Sequence, residues 1–139
     1  MEKNIMKRIK NWLLHSWLII MGFIMPGCEQ EHTVYFENAS DETVYIVYNI
    51  NSFNLEEALS PGSNSNTIVH ANDIFDKIVV RSGVSDGPDD RLCIYVFKLS
   101  TIDKYSYTEI IAENLVDKLY DMGPSRLKAT NWHIKYTGK

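Results

Sequence analysis

The chain is predicted to be mainly β: an antiparallel two-layer sandwich, immunoglobulin-like, with one or two short helices near the C-terminus. Three observations carry this. Seven short apolar alternations are separated by Asn-, Gly- and Pro-bearing turns; Arg91 to Lys98 is apolar on both faces; and the period changes to a helical one only after Tyr105. An open sheet with a helix packed on one face is the alternative.

The first residues are built differently. Lys3, Lys7, Arg8 and Lys10 face a single acid, Glu2, in the opening ten residues. Such a cluster holds that end on the cytoplasmic side. Trp12 to Met25 then runs apolar except for His15, Ser16 and Gly22, and these 14 residues fall short of a spanning helix, which needs about 18 to 20. Pro26, Gly27 and Cys28 close the run with a helix breaker, a residue without a side chain and a thiol, which gives a peptidase an extended backbone.

Met25-Pro26-Gly27-Cys28 resembles the lipobox of bacterial lipoproteins, in which glycine or alanine precedes an invariant cysteine. Met25 stands where leucine is usual and Pro26 where a small residue is usual, changes that the looser lipoboxes of Bacteroidetes tolerate. The resemblance implies cleavage after Gly27 and a diacylglyceryl group on the Cys28 sulfur, with a further acyl chain on its nitrogen. Each buried methylene is worth about 0.8 kcal/mol, so two or three chains make a permanent anchor where one gives reversible binding. The implied organisation is a signal peptide over 1–27, a lipidated tether over 28–32 and a single β-rich domain over 33–139. The implied place is the cell envelope, as an outer-membrane lipoprotein facing the periplasm or the surface. An uncleaved signal anchor and ordinary secretion are the alternatives. Glu29-Gln30-Glu31 is similar to the acidic surface-export signal of some Bacteroidetes lipoproteins.

Beyond the leader, 112 residues suffice for one core and not for two. The leader takes four of fourteen basic residues and one of eighteen acids, which leaves ten against seventeen, a net charge of −7. That balance argues against nucleic acid and against anionic headgroups as partners. With Cys28 acylated, Cys93 has no intramolecular partner, so the core alone must hold the fold.

His32 to Glu37 alternates with Val34 and Phe36 on one face, and Thr43 to Ile50 with Val44, Ile46, Tyr48 and Ile50. The polar link Asn38 to Glu42 predicts a hairpin between these strands. Tyr45 and Val47 make the second strand apolar on both faces, as in a sheet covered twice. Asn51 to Asn66 is a connection with a turn at Ser60-Pro61-Gly62-Ser63 and one helical turn over Leu55 to Leu59. Short strands follow at Thr67 to His70 and Asp76 to Arg81, and Ser82 to Asp90 is an exposed loop. Arg91 to Lys98 belongs in mid-sheet, with Leu92, Ile94 and Val96 opposite Cys93, Tyr95 and Phe97. Ser106 and Glu109 form a capping box, with Tyr105 and Ile110 as the staple, so a helix begins at Tyr107 and ends near Asn114. Leu115 to Asp121 suits either a helix face or a strand. Gly123-Pro124 stops it, Ser125 to Thr130 reads as one more turn, and Trp132, Ile134 and Tyr136 alternate in a closing strand.

The tail Arg126 to Tyr136, with Asn131-Trp132-His133-Ile134-Lys135-Tyr136 at its end, and the helix start Tyr105 to Ile110 resemble the C-terminal part of small uncharacterised Bacteroidetes lipoproteins. That resemblance implies a strand at Leu115 to Asp121 and an envelope location, and no assigned activity.

Candidate chemistry is sparse. Cys93 lies between Leu92 and Ile94, without the cation, histidine or helix start that activates a thiol, and reads as core. His32, His70 and His133 lack ligand spacing, so no metal is expected. Asp86, Asp89 and Asp90 match no calcium-loop spacing and read as a solvated loop. Asp41-Glu42 and Glu56-Glu57 are adjacent pairs, which cannot flank a scissile bond from two sides. Neither a nucleophile elbow nor a phosphate-cradling loop is present. The expectation is therefore a non-catalytic module without a cofactor, held to the membrane by its lipid, that binds a protein partner or supports an envelope assembly. Glycan or peptide binding on an exposed aromatic face of Tyr35, Tyr45 and Tyr95 is the second reading, against the plainer one that these rings fill the second face of the sheet.

Overall fold

The computed structural model describes residues 30–51, 54–62, 65–82, 87 and 90–138. The expected leader with Cys28, and Asp86 and Asp89, lie outside the described residues. Among the described residues, seven strands form two sheets: a three-stranded one in the order β4-β1-β7 and a four-stranded one in the order β3-β2-β5-β6. The strands are β1 (Gln30–Asn38), β2 (Val44–Ile50), β3 (Ser65–Val69), β4 (Asp73–Ser82), β5 (Leu92–Lys98), β6 (Lys118–Met122) and β7 (His133–Tyr136). Four short helices among the described residues join them: α1 (Leu55–Leu59), α2 (Leu99–Lys104), α3 (Tyr107–Ala112) and α4 (Pro124–Ala129). Every pairing is antiparallel except β1 with β7.

Alternation determines which side chains meet. Val34, Phe36, Ile78, Val80, Ile134 and Tyr136 from the three-stranded sheet close on Val44, Ile46, Val69, Leu92, Ile94 and Val96 from the other. The outer face of the four-stranded sheet carries Val47, Tyr95 and Phe97, and it packs against Ala58 and Leu59 of α1 and Ile110 of α3. The doubly apolar character of β2 and β5 thus has its cause in two separate cores, one on each side.

The expected β1–β2 hairpin is not formed. Residues 39–43 carry the chain from one sheet to the other, and β1 pairs with β4 and β7 while β2 pairs with β3 and β5. Alternation marks the buried face of a strand and not its neighbour, and a short polar link serves a corner across the core as well as a hairpin. Asn38, fully buried, explains the choice. Its side-chain amide donates to the carbonyls of Glu42 (2.8 Å), Val69 (3.1 Å) and His70 (3.1 Å). Its Oδ1 accepts from the Ser40 hydroxyl at 2.6 Å and the Ser40 amide at 3.2 Å. One residue therefore ties together the two corners, 39–43 and 70–72, through which the chain changes sheets at this end.

Local signals hold at the helix starts. The capping boxes are formed at α3, between Ser106 and Glu109, and at α1, between Asn54 and Glu57. Ser106→Ala is expected to cost about 1 kcal/mol, read as a shift in the urea midpoint. Helix α2 was not expected; its Lys98 cap makes no side-chain hydrogen bond, and tertiary contact with β2 and, through the Leu99 amide donating to the Thr43 carbonyl, with the corner before it takes the place of a local signal. The stretch left open at Leu115 to Asp121 becomes a strand from Lys118. Asn131 and Trp132 both take left-handed backbone, φ 52° and 59°, so β7 begins at His133. For a bulky residue that conformation is strained. The Trp132 ring stacks on His32 at 3.9 Å with 7° between planes and packs against the inter-sheet core, contacts that hold the turn.

On the β6–β7 side the Tyr120 hydroxyl donates to the Lys135 carbonyl at 3.0 Å, and the buried Tyr136 hydroxyl donates to the Asp117 carboxylate. Burial, with that carboxylate beside it, pushes the Tyr136 phenol well above its ordinary value. Burial also raises Tyr45, Tyr95 and Tyr120. A folded-state pKa above the unfolded one gives stability that is complete below about pH 10 and is lost as pH rises beyond it. Tyr136→Phe is expected to cost about 1–2 kcal/mol at pH 7 and to make stability above pH 10 less steeply pH-dependent than in wild type, as measured by urea titration at each pH.

Candidate functional site

Among the described residues, helices cover the outer face of the four-stranded sheet and nothing covers that of the three-stranded sheet. The latter face is the candidate site. β1 runs up its middle, with Glu31, Thr33, Tyr35 and Glu37 pointing outward, because Val34, Phe36 and Asn38 are drawn inward. β4 contributes Val79 opposite Thr33, Arg81 opposite Glu31 and Ile74 opposite Glu37. β7 contributes His133 opposite Tyr35 and Lys135 opposite Glu37.

The register slips between Val34 and Phe36: Ile78 and Phe75 are their partners, so Asp76 and Lys77 together oppose Tyr35. This bulge and its two exposed charges sit in the middle of an edge strand, where they hinder another strand from adding to it.

The face is open and mixed: Tyr35 is 44% exposed, Val79 46% and Ile74 52%, and Tyr35 has Asp76 and Lys77 on one side and His133 on the other. Ion pairs flank it. Arg81 Nε meets Glu31 Oε1 at 3.0 Å, while Glu37 receives Lys135 Nζ at 2.8 Å and His133 Nε2 at 3.0 Å. The Lys135 hydrogen bond, with His133 adding to it, holds the Glu37 carboxyl below its usual range against a small opposing effect of desolvation.

The three tyrosines that the second reading would bring to one exposed face do not share one. Tyr35 is on the open sheet, whereas Tyr45 and Tyr95 lie on the helix-covered side, packed with Phe97 at ring distances of 6.4 Å each. Tyr95 is 7% exposed. The plainer reading, rings filling the second face, describes these two. Cys93 is buried on the same side as Tyr95, with its thiol 3.5 Å from Asp121 Oδ1. Asp121 also accepts from Arg91 Nε at 2.7 Å, which holds its carboxyl below the usual range.

A depressed carboxylate contributes stability that is present above its unfolded pKa and lost as pH falls through the folded one. Asp121→Asn is therefore expected to flatten the loss of stability between about pH 5 and pH 2 relative to wild type, measured by urea midpoints.

The described histidines have different surroundings: His32 is stacked on Trp132, His133 is paired with Glu37, and His70 gives its carbonyl to Asn38. Among the described residues no three His, Cys, Asp or Glu side chains stand together as a metal site, and no helix is long and apolar enough to cross a membrane. A cleft of about 270 Å³ opens between the sheets where β3 stops at Ser65, lined by Tyr48, Ile50, Lys77 and Val79 among others. Alternation could have placed Val79 on an outer face. Ile74 carried no such signal, because the bulge shifts the phase of β4 between it and Val79. Comparison with protein-family models, with curated proteins and with solved structures found no match.

Proposed function

We propose that this chain is a non-catalytic envelope module, held to the outer membrane by lipid on Cys28, which binds a protein partner or supports an assembly through the open face of its three-stranded sheet. The observation that carries this reading is the start of β1. Gln30 is already paired with Ser82, only two positions after Cys28, so the middle strand of the open sheet is all but attached to the anchor. Two residues span at most about 7 Å. Such a tether leaves no room for a large reach, and function then falls to whatever neighbours the membrane brings alongside. β1 starts inside the stretch expected as tether because Glu31 and Gln30 are recruited by Arg81 and Ser82, and their polar side chains give no alternation.

The experiment is metabolic fatty-acid labelling of wild type beside Cys28→Ala, followed by protease shaving of intact cells. Label on wild type alone supports the anchor, and shaving tells which side of the membrane the domain faces. Equal label on both, or none on either, refutes it.

Glycan or peptide binding is the second reading, and the exposed Tyr35 favours it. Tyr35→Ala is expected to abolish binding on a glycan array if that reading holds, with Tyr45→Ala acting through the helix packing instead. In architecture, we read the sandwich as immunoglobulin-like on the strength of seven strands split three and four and first and last strands running parallel. It departs from the constant-type arrangement in having β1 and β2 in opposite sheets.

A further inference from the structure

We infer that the base of β1, Gln30 to Thr33, is a releasable strap: on the membrane it detaches from β4 and lengthens the tether, so that the domain stands clear of the lipid headgroups. This rests on the anchored reading above. Two independent features carry it: how the strand is held along its length, and how little chain separates it from the anchor.

From Tyr35 upward β1 is paired on both sides, with β4 and with β7. Below that point its strand pairing runs along β4 alone. Burial divides the strand at the same place: Val34, Phe36 and Asn38 are fully buried, whereas Gln30, Glu31 and Thr33 are exposed and His32 is half-buried. Glu31 fastens the base to Arg81 at 3.0 Å, but these side chains are 59% and 69% exposed. Ion pairs so open to solvent contribute little. His32 fastens it to the Trp132 ring. Release therefore uncovers one face of Trp132 and none of the β1 side chains buried between the sheets.

The short tether supplies the reason to release. With Gln30 paired to Ser82, two positions separate the sheet from Cys28 and span at most about 7 Å. A headgroup layer is about 5–8 Å deep, from the difference between a whole bilayer and its hydrocarbon core. Acyl chains on Cys28 hold that residue at the inner boundary of the layer, so the closed strap draws the foot of the sheet into it. Charge opposes that placement wherever the leaflet is anionic, because Glu29 and Glu31 lie at this foot and the chain beyond residue 27 has ten basic residues against seventeen acids. With the strap released, Val34 becomes the first paired residue, six positions from Cys28, and the tether spans about 20 Å. That length clears the headgroups and still keeps the domain beside its membrane neighbours.

The test is amide hydrogen exchange, read by NMR on the acylated protein in phosphatidylcholine–phosphatidylglycerol nanodiscs. The Tyr35 and Ala39 amides donate to Trp132 and Tyr136 on the β7 side. Amides alternate along a strand, so those of His32 and Phe36 both point toward β4. His32 is expected to exchange at least about 100-fold faster than Phe36. Glu31 and Arg81 stand directly opposite in register, so Glu31→Cys with Arg81→Cys gives a disulfide that locks the strap, and a reductant reopens it. The oxidised variant should bring His32 to within a few-fold of Phe36. Height is read by energy transfer from Trp132, the one tryptophan in residues 28–139, to dansyl headgroups in vesicles of the same lipids. Wild type and the reduced variant should transfer less than the oxidised variant.

His32 exchange within a few-fold of Phe36 in wild type, or equal transfer with and without the lock, overturns the proposal. Should the double variant misfold, the exchange ratio in wild type decides alone. Intact mass of the same samples separates the strap from the anchor. Acylated protein with equal exchange at the two amides refutes the strap and leaves the anchor standing, whereas protein without acyl mass refutes the anchor.

Discussion

Asn38→Ala is expected to lower the unfolding free energy by about 3–5 kcal/mol, the summed cost of leaving buried and half-buried acceptors without their donor. Three carbonyls lose the amide that they share, those of Glu42, Val69 and His70. The Ser40 hydroxyl and amide also lose their acceptor. A domain of this size has about 5–15 kcal/mol in total, so the loss is a large fraction of its stability. Asn38→Asp separates the two halves of the network. It keeps the acceptor that Ser40 uses but lacks the donor, and it places a carboxylate among carbonyl oxygens, so it should be at least as damaging. Urea unfolding followed by near-ultraviolet circular dichroism is the measurement. A loss below about 1 kcal/mol would mean that the corners stand without the side chain.

Phe36→Ala and Tyr35→Ala form a pair one residue apart with opposite expectations. Phe36 is fully buried between the sheets, edge-on to Tyr120 at 6.3 Å and 81°, and opposite Phe75 in register. Removing its ring leaves a cavity that two packed sheets cannot close, at about 3–5 kcal/mol. Tyr35 points out of the same strand and is 44% exposed. Its removal should stay within about 0.5 kcal/mol. The contrast reports the sidedness of β1 directly: similar losses at both positions would place the open face under cover, and with it would go the surface on which the proposed function depends.

How much of this was legible in the sequence varies by level. Strand faces were, because Val34, Phe36, Val44, Ile46, Leu92, Ile94 and Val96 obey a two-residue period and a one-residue slip would expose them all. The start of the helix with its own capping chemistry was legible too, at Ser106, whereas Gly123-Pro124 was read as a stop and is where α4 begins. Partners of strands were not. A polar link of five residues between β1 and β2 fits a hairpin or a corner, and the deciding contact, Asn38 to Val69, spans 31 positions. Helix α2 had no local marker and exists through its contact with β2 and the corner before it.

The candidate site was legible only in part. Tyr35, Tyr45 and Tyr95 looked equivalent because alternation cannot say which of two sheet faces receives helices, so the favoured reading of all three as rings filling the second face holds for Tyr45 and Tyr95 and fails for Tyr35. The ion pairs around Glu37 depend on the parallel β1–β7 pairing, which joins the two ends of the chain. No pattern within either end predicts that.

The proposed function requires an anchor at the foot of β1, and intact-mass spectrometry of the protein purified from membranes tests for it most directly. The account predicts a chain that begins at Cys28 and is heavier than residues 28–139 by the mass of two or three acyl groups with their glycerol. A chain that retains residues 1–27, or one that begins at Cys28 without added mass, would contradict it.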